Sequence, residues 1–386
     1  MANNRLASID ILRALTMLFM IFVNDLWSLT DIPNWLGHAD GSEDRMGFAD
    51  VIFPAFMFII GLSIPHAIKA RINKGDNQIQ VITHILARSF ALIVMGVFMV
   101  NLENIDQSSS MINKHYWQLL MFFAFVMIWN NYRNPKVLGV IPPIVVKSIG
   151  WAILILLAYI YKGTGDNWML IHWWGILGLL GWSYLVCAIC YLFIGDRVIV
   201  IAAVGLMLLM LNVNEFLWGV NIKLIISASN YLSVLLGVLA TVIHSRSTRN
   251  EGDWQSAVAW LMGIAIMLLI FGLVTRPEWG ISKIRATPSW TAICGAISML
   301  SFIVLLVISD VKGFTNWAKP IAAGGYATLT CYLLPYFMYS MLQIVGVDLP
   351  DMMTTGIIGL IKSLLFGWLI IQMAAWIGKV DIRLKI

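Results

Sequence analysis

Asn24, His38 and Asp50 are the residues of this chain whose types and spacing suit chemistry. The amide and the carboxylate sit in two apolar segments, IDILRALTMLFMIFVNDLW and FADVIFPAFMFIIGLSI. The imidazole lies in the polar stretch between them, SLTDIPNWLGHADGSEDRMG. Hydrocarbon penalises polar groups, so an amide and a carboxylate inside such segments call for a reason. Histidine, with an unperturbed pKa of about 6.5, suits proton removal near neutrality. An amide can donate to a developing oxyanion, and a carboxylate can orient an imidazole or attract a cationic amine. Together they suit acyl transfer to an amine or a hydroxyl. The bland alternatives are a solvated loop histidine, an asparagine bonding a neighbouring helix, and an aspartate at the positive end of the second segment. A polar path through a transporter would use the same residue types.

The elements that must position these groups follow from composition. Of 386 residues, 60% are apolar and 12% are charged, where soluble domains carry roughly 25% charged residues. The long runs are continuously apolar, which excludes the alternating strands of a β-barrel. The chain reads as an all-α, polytopic integral membrane protein with about 10–12 transmembrane helices, each needing about 20 mostly apolar residues. Candidate spans fall at 9–27, 48–68, 85–102, 116–130, 145–161, 172–194, 197–211, 224–243, 255–274, 290–308, 321–345 and 356–378, with 116–130 and 197–211 short. No soluble domain fits between them. The first two form a helical hairpin whose ends meet beneath the His38 loop. Asn24 and Asp50 also cluster at that depth, so residues 1–386 read as one transmembrane domain with a catalytic hairpin at 9–68.

Lys and Arg are concentrated in the loops that lie inside if the N-terminus is inside, which places both termini in the cytoplasm. The outer connection 275–288 departs from this bias. It carries Arg276, Lys283 and Arg285, and marks either a substrate-facing patch or an error in the nearby spans. The apolar run 14–23 is followed by Asn24 and Asp25 rather than a small-residue cleavage site, so no cleavable signal peptide is expected. The net charge of +5 is too modest to point to nucleic acid. Cys187 and Cys190 form a C-x-x-C on an apolar helix without a matching Cys or His set, which reads as packing rather than metal binding. Asp10 and Arg13, three residues apart, can pair on one helical face. Trp27, Trp35, Trp117, Trp168, Trp173, Trp174, Trp218 and Trp279 fall at expected interfaces, where belt duty is their default.

From Asn3 to His66 these residues resemble a known family. The run RLASIDILRALT, then FVN, GHA and FADVIFPAFMFIIGLSI, is similar to the heparan-α-glucosaminide N-acetyltransferase family and its bacterial relatives. WGILGLLGWSYLV at 174–186 and GGYATLTCYLLPYF at 324–337 resemble later family helices more loosely. The resemblance implies a multi-pass enzyme of the inner (cytoplasmic) membrane, with lipids and the two substrates as partners and a homodimer left open. It would move an acetyl group from cytoplasmic acetyl-CoA to the amino group of a terminal glucosamine or related glycan on the far side, without a metal. On that reading the family's catalytic histidine falls on His38, its asparagine on Asn24, its aspartate on Asp50 and its arginine on Arg13. The histidine would act as base or carry the acetyl group itself. Arg71, Arg88 and Arg133 are further candidates for the CoA phosphates. Trp27 and Trp35 are candidates for a sugar platform, and Asp40 and Glu43 for a negative mouth that collects a protonated amine. The chain departs from the pattern at Asp40-Gly41-Ser42-Glu43 and at Gly178-Leu179, which bears on acceptor identity. An envelope O-acetyltransferase and a solute transporter are the alternatives.

Overall fold

The computed structural model describes residues 6–132, 141–165, 167–217, 224–249, 253–380 and 382–384. The described residues are overwhelmingly helical and contain isolated β-bridges but no strand, so the all-α membrane architecture holds. The helices are α1 (Ala7–Asp25), α2 (Ala49–Ile72), α3 (Gln78–Asn101), α4 (Lys114–Trp129), α5 (Pro143–Tyr159), α6 (Gly175–Ile194) and α7 (Val198–Leu217). They continue with α8 (Ala228–Arg249), α9 (Trp254–Trp279), α10 (Pro288–Leu305), α11 (Ala322–Tyr326), α12 (Thr328–Val345), α13 (Asp351–Thr354) and α14 (Gly356–Ile377). Every expected span coincides with a helix, except that 321–345 is divided at Ala327 into a short turn and α12. Among the described residues nine helices are long and apolar enough to cross a membrane. The helices α4, α5 and α7 are shorter or less apolar; the 16 residues of α4 rise only about 24 Å, less than a bilayer core of about 30 Å.

Three loop pairings bear on how the chain alternates. Thr30 bridges Thr355, Ile105 bridges Gly163, and Asn130 bridges Leu384. Each joins connections that twelve alternating crossings put on the same face. The loop after α1 thus meets the one before α14, the loop after α3 meets the one after α5, and the C-terminal residues meet the loop after α4.

The hairpin that carries the site is held at both ends. The N-cap of α1, Leu6, has no capping side chain. The Asp310 carboxylate takes that role, accepting from the Ala7 N–H at 2.7 Å and the Ser8 N–H at 3.0 Å, where the helix dipole favours negative charge. Asp310 lies in a π-helical turn, Leu306–Val311, that continues α10. At the opposite end Asp25 is buried at 2% exposure. It accepts from Lys362 Nζ at 2.6 Å and Ser363 Oγ at 2.5 Å on α14, and from the Tyr339 hydroxyl on α12.

The α2 helix packs most closely on α8. Small residues permit this in a bilayer, where close van der Waals contact replaces the hydrophobic effect between helices. A Cβ at Gly61 would lie 1.8 Å from the Val234 carbonyl oxygen, and one at Gly237 would lie 2.0 Å from that of Phe58. Backbone meets backbone, so neither clash can be relieved by a side-chain rotation. Gly237→Leu is expected to force α2 from α8 and lower the thermal unfolding midpoint of the purified protein, since overpacking costs about 1–3 kcal/mol. An unchanged midpoint in a thermal scan would contradict this crossing.

Candidate active site

Capping of α2 places the imidazole. The first N–H groups of a helix have no partner within it. Here the Phe48 N–H donates to the Trp35 carbonyl at 2.7 Å, and the Ala49 N–H donates to that of Leu36 at 3.1 Å. The chain just before His38 is thus laid across the N-terminus of α2. Gly37 and Gly47 touch there, and a Cβ at Gly47 would fall 1.8 Å from the Gly37 carbonyl oxygen. Asp50, in the first turn of α2, completes the closure. Its Oδ2 accepts from the Ala39 and Gly47 N–H groups, both at 3.0 Å, and its Oδ1 lies 2.6 Å from His38 Nδ1.

With Asp50 ionised, that short contact assigns the proton to Nδ1 and leaves Nε2 with the free lone pair. The His38 side chain is 51% exposed and that of Asp50 only 1%, so the ring has one face on a buried anion and the other open. The open side belongs to a cavity of about 740 Å³. Its walls come from the loops before α6, α8 and α10 and the first turns of α8 and α10, and include His172, Trp173, Trp174, Asn230, Lys283 and Trp290. His172 and Trp174 have φ of 47° and 70°, a left-handed conformation costly for such side chains and often kept at functional sites.

Lys283 enters this centre from the 275–288 connection. Its Nζ lies 3.3 Å from His38 Nδ1 and 3.9 Å from Asp50 Oδ1. Burial lowers the pKa of its ammonium, with the Asp50 charge acting in opposition. The same connection is tied to the first loop through Asp44, which accepts from Arg276 Nε at 3.0 Å and from the Ile281 N–H at 2.6 Å. The Ile281 N–H, followed by Arg276, holds the Asp44 carboxyl below its ordinary range. Of the basic residues of 275–288, Arg276 thus faces the first loop and Lys283 the cavity.

A second cavity, of about 440 Å³, lies toward the N-terminal end of α1. Arg13, Ser63, Arg88, Tyr326 and Tyr332 line it, and Ile176 lines both cavities. Arg13 pairs with Asp10 at 3.1 Å, as their spacing suggests, and donates to Ser63 Oγ at 2.6 Å and the Gly325 carbonyl at 3.1 Å. Arg88 lies over the Tyr184 ring, 4.7 Å from its centroid, and its buried Nε has no hydrogen-bond partner among the described residues.

The other candidates lie apart from these cavities. Asn24 is exposed and makes no hydrogen bond to His38 or Asp50. Trp27 is exposed and packs edge-on against Tyr339, and Trp35 is exposed. Glu43 pairs with Arg45 at 2.9 Å and accepts from the Asp40 N–H; neither Glu43 nor Asp40 lines the outer cavity. Arg71 pairs with Asp76 at 2.6 Å, and Arg133, like Trp218, lies outside the described residues. Sequence reasoning saw Lys283 only as part of the 275–288 basic cluster and gave Trp173 and Trp174 to the membrane belt, because nothing local says that loops so distant in sequence meet. It also passed over Asp25 with Lys362, although a lone carboxylate and a lone ammonium in two apolar spans were a legible signal.

Residues 5–153 match the family described as heparan-alpha-glucosaminide N-acetyltransferase, catalytic. Two curated proteins of that name are similar to this chain. The Mus musculus protein is 33% identical over 102 residues and the Homo sapiens protein 33% identical over 101. The likeness to this family is thus shown over residues 5–153. Each relative's match covers 25% of this chain but only 14% of the relative. The matched region contains Arg13, His38, Asp50 and Arg88, whereas Lys283, His172, Trp173, Trp174 and Trp290 lie beyond it.

Proposed function

We propose that this chain is a membrane-embedded acetyltransferase that carries an acetyl group from acetyl-CoA to an amino sugar on the opposite side of the membrane. The observation that carries the reading is the arrangement around Ile176: a cavity bearing Arg13 and Arg88 on one side, and on the other a cavity bearing an Asp50-oriented imidazole. Acetyl-CoA enters from the cytoplasm, the side of both termini, with the protein in the inner membrane. Arg13 and Arg88 meet its anionic groups, and the thioester reaches toward His38. Along α1 the step from Arg13 to Asn24 is about 16 Å, which an extended CoA arm can cross. His38 Nε2 removes a proton from the acceptor or briefly takes the acetyl group, and Asp50 stabilises the imidazolium in either route. Trp173, Trp174 and Trp290 offer the aromatic surface for a sugar ring. A hydroxyl acceptor is the second reading, because among the described residues no carboxylate lines the outer cavity to meet an ammonium.

Purified protein incubated with labelled acetyl-CoA and a panel of amino sugars tests this. Transfer to glucosamine but not to N-acetylglucosamine supports an amine acceptor, and transfer to both supports a hydroxyl. Solute uptake into proteoliposomes with no acetylated product would replace the enzyme by a transporter. Arg88→Ala is expected to raise the KM for acetyl-CoA about tenfold or more with kcat little changed, since a hydrogen bond to a charged group contributes about 1.5–3 kcal/mol. An unaltered KM would remove Arg88 from the donor site.

A further inference from the structure

The acceptor's attack on the acetyl carbonyl puts a negative charge on its oxygen, and the amide first considered for that charge does not line the cavity. Asn24 is exposed and unbonded to the His38–Asp50 couple. We propose that Lys283 is the catalytic residue that stabilises this oxyanion, an assignment that rests on the acetyl-transfer reading above.

Three observations carry it. The first is position: Lys283 Nζ lies on the His38–Asp50 edge, at 3.3 Å from the ring nitrogen and 3.9 Å from the carboxylate. The second is what that nitrogen leaves to donate. His38 Nδ1 already gives its proton to Asp50 at 2.6 Å, so it cannot accept from Lys283, and the ammonium protons are directed to Asp50 or into the cavity. The third is the surroundings. Lys283 is the one Lys or Arg among the described residues lining the outer cavity, and Ile284, Ala286 and Trp290 flank it. A cation in such apolar surroundings acts far more strongly on a nearby charge than it would in water.

The step balances without another reagent. The acceptor nitrogen attacks the thioester carbon, and the carbonyl electron pair moves to oxygen beside Lys283. His38 Nε2 takes the proton from nitrogen. Collapse re-forms the carbonyl and breaks the carbon–sulfur bond, and the departing thiolate receives that proton as CoA thiol. In the route through an acetylated imidazole the same oxygen bears charge at each transfer.

The groups facing Lys283 are His38 from the first loop, Asp50 from α2, Cys294 from α10 and His172 across the cavity. Arg285 shares its connection, and Asp44 and Arg276 pair with each other close by. Because burial lowers the pKa of Lys283, its charge is present at low pH and lost as pH rises through that value. Activity should fall along the same limb.

The test uses full-length protein in nanodiscs with labelled acetyl-CoA and the acceptor found above. Lys283→Met is expected to lower kcat about 100- to 1,000-fold while the KM for acetyl-CoA stays within a few-fold. Lys283→Arg should restore part of the rate and move the basic limb of the pH profile upward, because guanidinium keeps its proton. A purely structural lysine would not move that limb. The assignment is overturned if Lys283→Met stays within threefold of wild type, if Asn24→Ala shows the large loss instead, or if the basic limb of Lys283→Arg is unshifted. Should Lys283→Met not fold, the limb of Lys283→Arg decides alone. If the wild type transfers no acetyl group, the enzyme reading falls and this inference with it; with an active wild type, a failure belongs to Lys283 alone.

Discussion

Asp50→Asn is expected to lower acetyl transfer about 10,000-fold, a loss matching the upper end expected for His38→Ala, while leaving the fold assembled. The substitution is isosteric, so the reason lies in hydrogen-bond polarity. Two backbone donors, Ala39 and Gly47, point at Oδ2. They oblige the introduced amide to turn its oxygen toward them and its NH2 toward His38 Nδ1. A donor there demands a lone pair on Nδ1, which moves the ring proton to Nε2. The nitrogen facing the acceptor would then hold a proton when it must accept one. A wrong tautomer of this kind costs a catalytic histidine about 10⁴ in kcat. His38→Ala removes the base altogether and should cost at least about 10²–10⁴. The half-exposed ring contributes little packing, and Asp50 keeps its two backbone donors and Lys283. Single-turnover kinetics on monodisperse protein decide the matter. Near-normal turnover in either variant would take His38 out of the reaction.

Asp25→Ala is expected to be the most destabilising substitution in the chain. Lys362 and Asp25 lie inside apolar helices, 2.6 Å apart, and the Ser363 and Tyr339 hydroxyls both point at the same carboxylate. Removing the carboxylate leaves an ammonium buried without its counter-charge, which costs about 3–5 kcal/mol. Lys362→Met should be milder than Asp25→Ala, because the two hydroxyls can still hold the carboxylate. The double variant Asp25→Leu with Lys362→Met should recover much of the loss, since replacing a buried pair by apolar residues is often neutral or better. Unfolding midpoints for wild type, Asp25→Leu, Lys362→Met and the double variant, analysed as a double-mutant cycle, give the coupling energy. Additive losses would mean that the pair is not what holds α14 to α1.

Residue by residue, the hairpin was the most legible part of the chain. Apolar length located α1 and α2, and the polar residues around His38 identified the loop between them. The pairing of Asp10 with Arg13 followed from helical spacing. The His38–Asp50 contact was less direct, because the sequence shows that both can reach one depth but not that the Trp35 and Leu36 carbonyls cap α2 and lay the ring over the carboxylate. The first loop's acids misled for the same reason. They read as an open negative mouth, whereas Asp44 and Glu43 are neutralised by Arg276 and Arg45. Only the 275–288 basic cluster hinted at a distant partner.

What the sequence determined by itself is the class of the molecule and the position of the hairpin that carries His38. Both depend on local quantities: apolar run length set against bilayer thickness, and the cost of polar groups in hydrocarbon. What the tertiary structure alone decided is which distant loops close around His38. Lys283 is 245 positions from it in the chain, and His172, Trp290 and Ile176 are as remote from any local pattern. The helices that bring them together cross on glycines and buried side chains whose fit depends on three-dimensional shape, and shape of that kind leaves no period in the sequence to read.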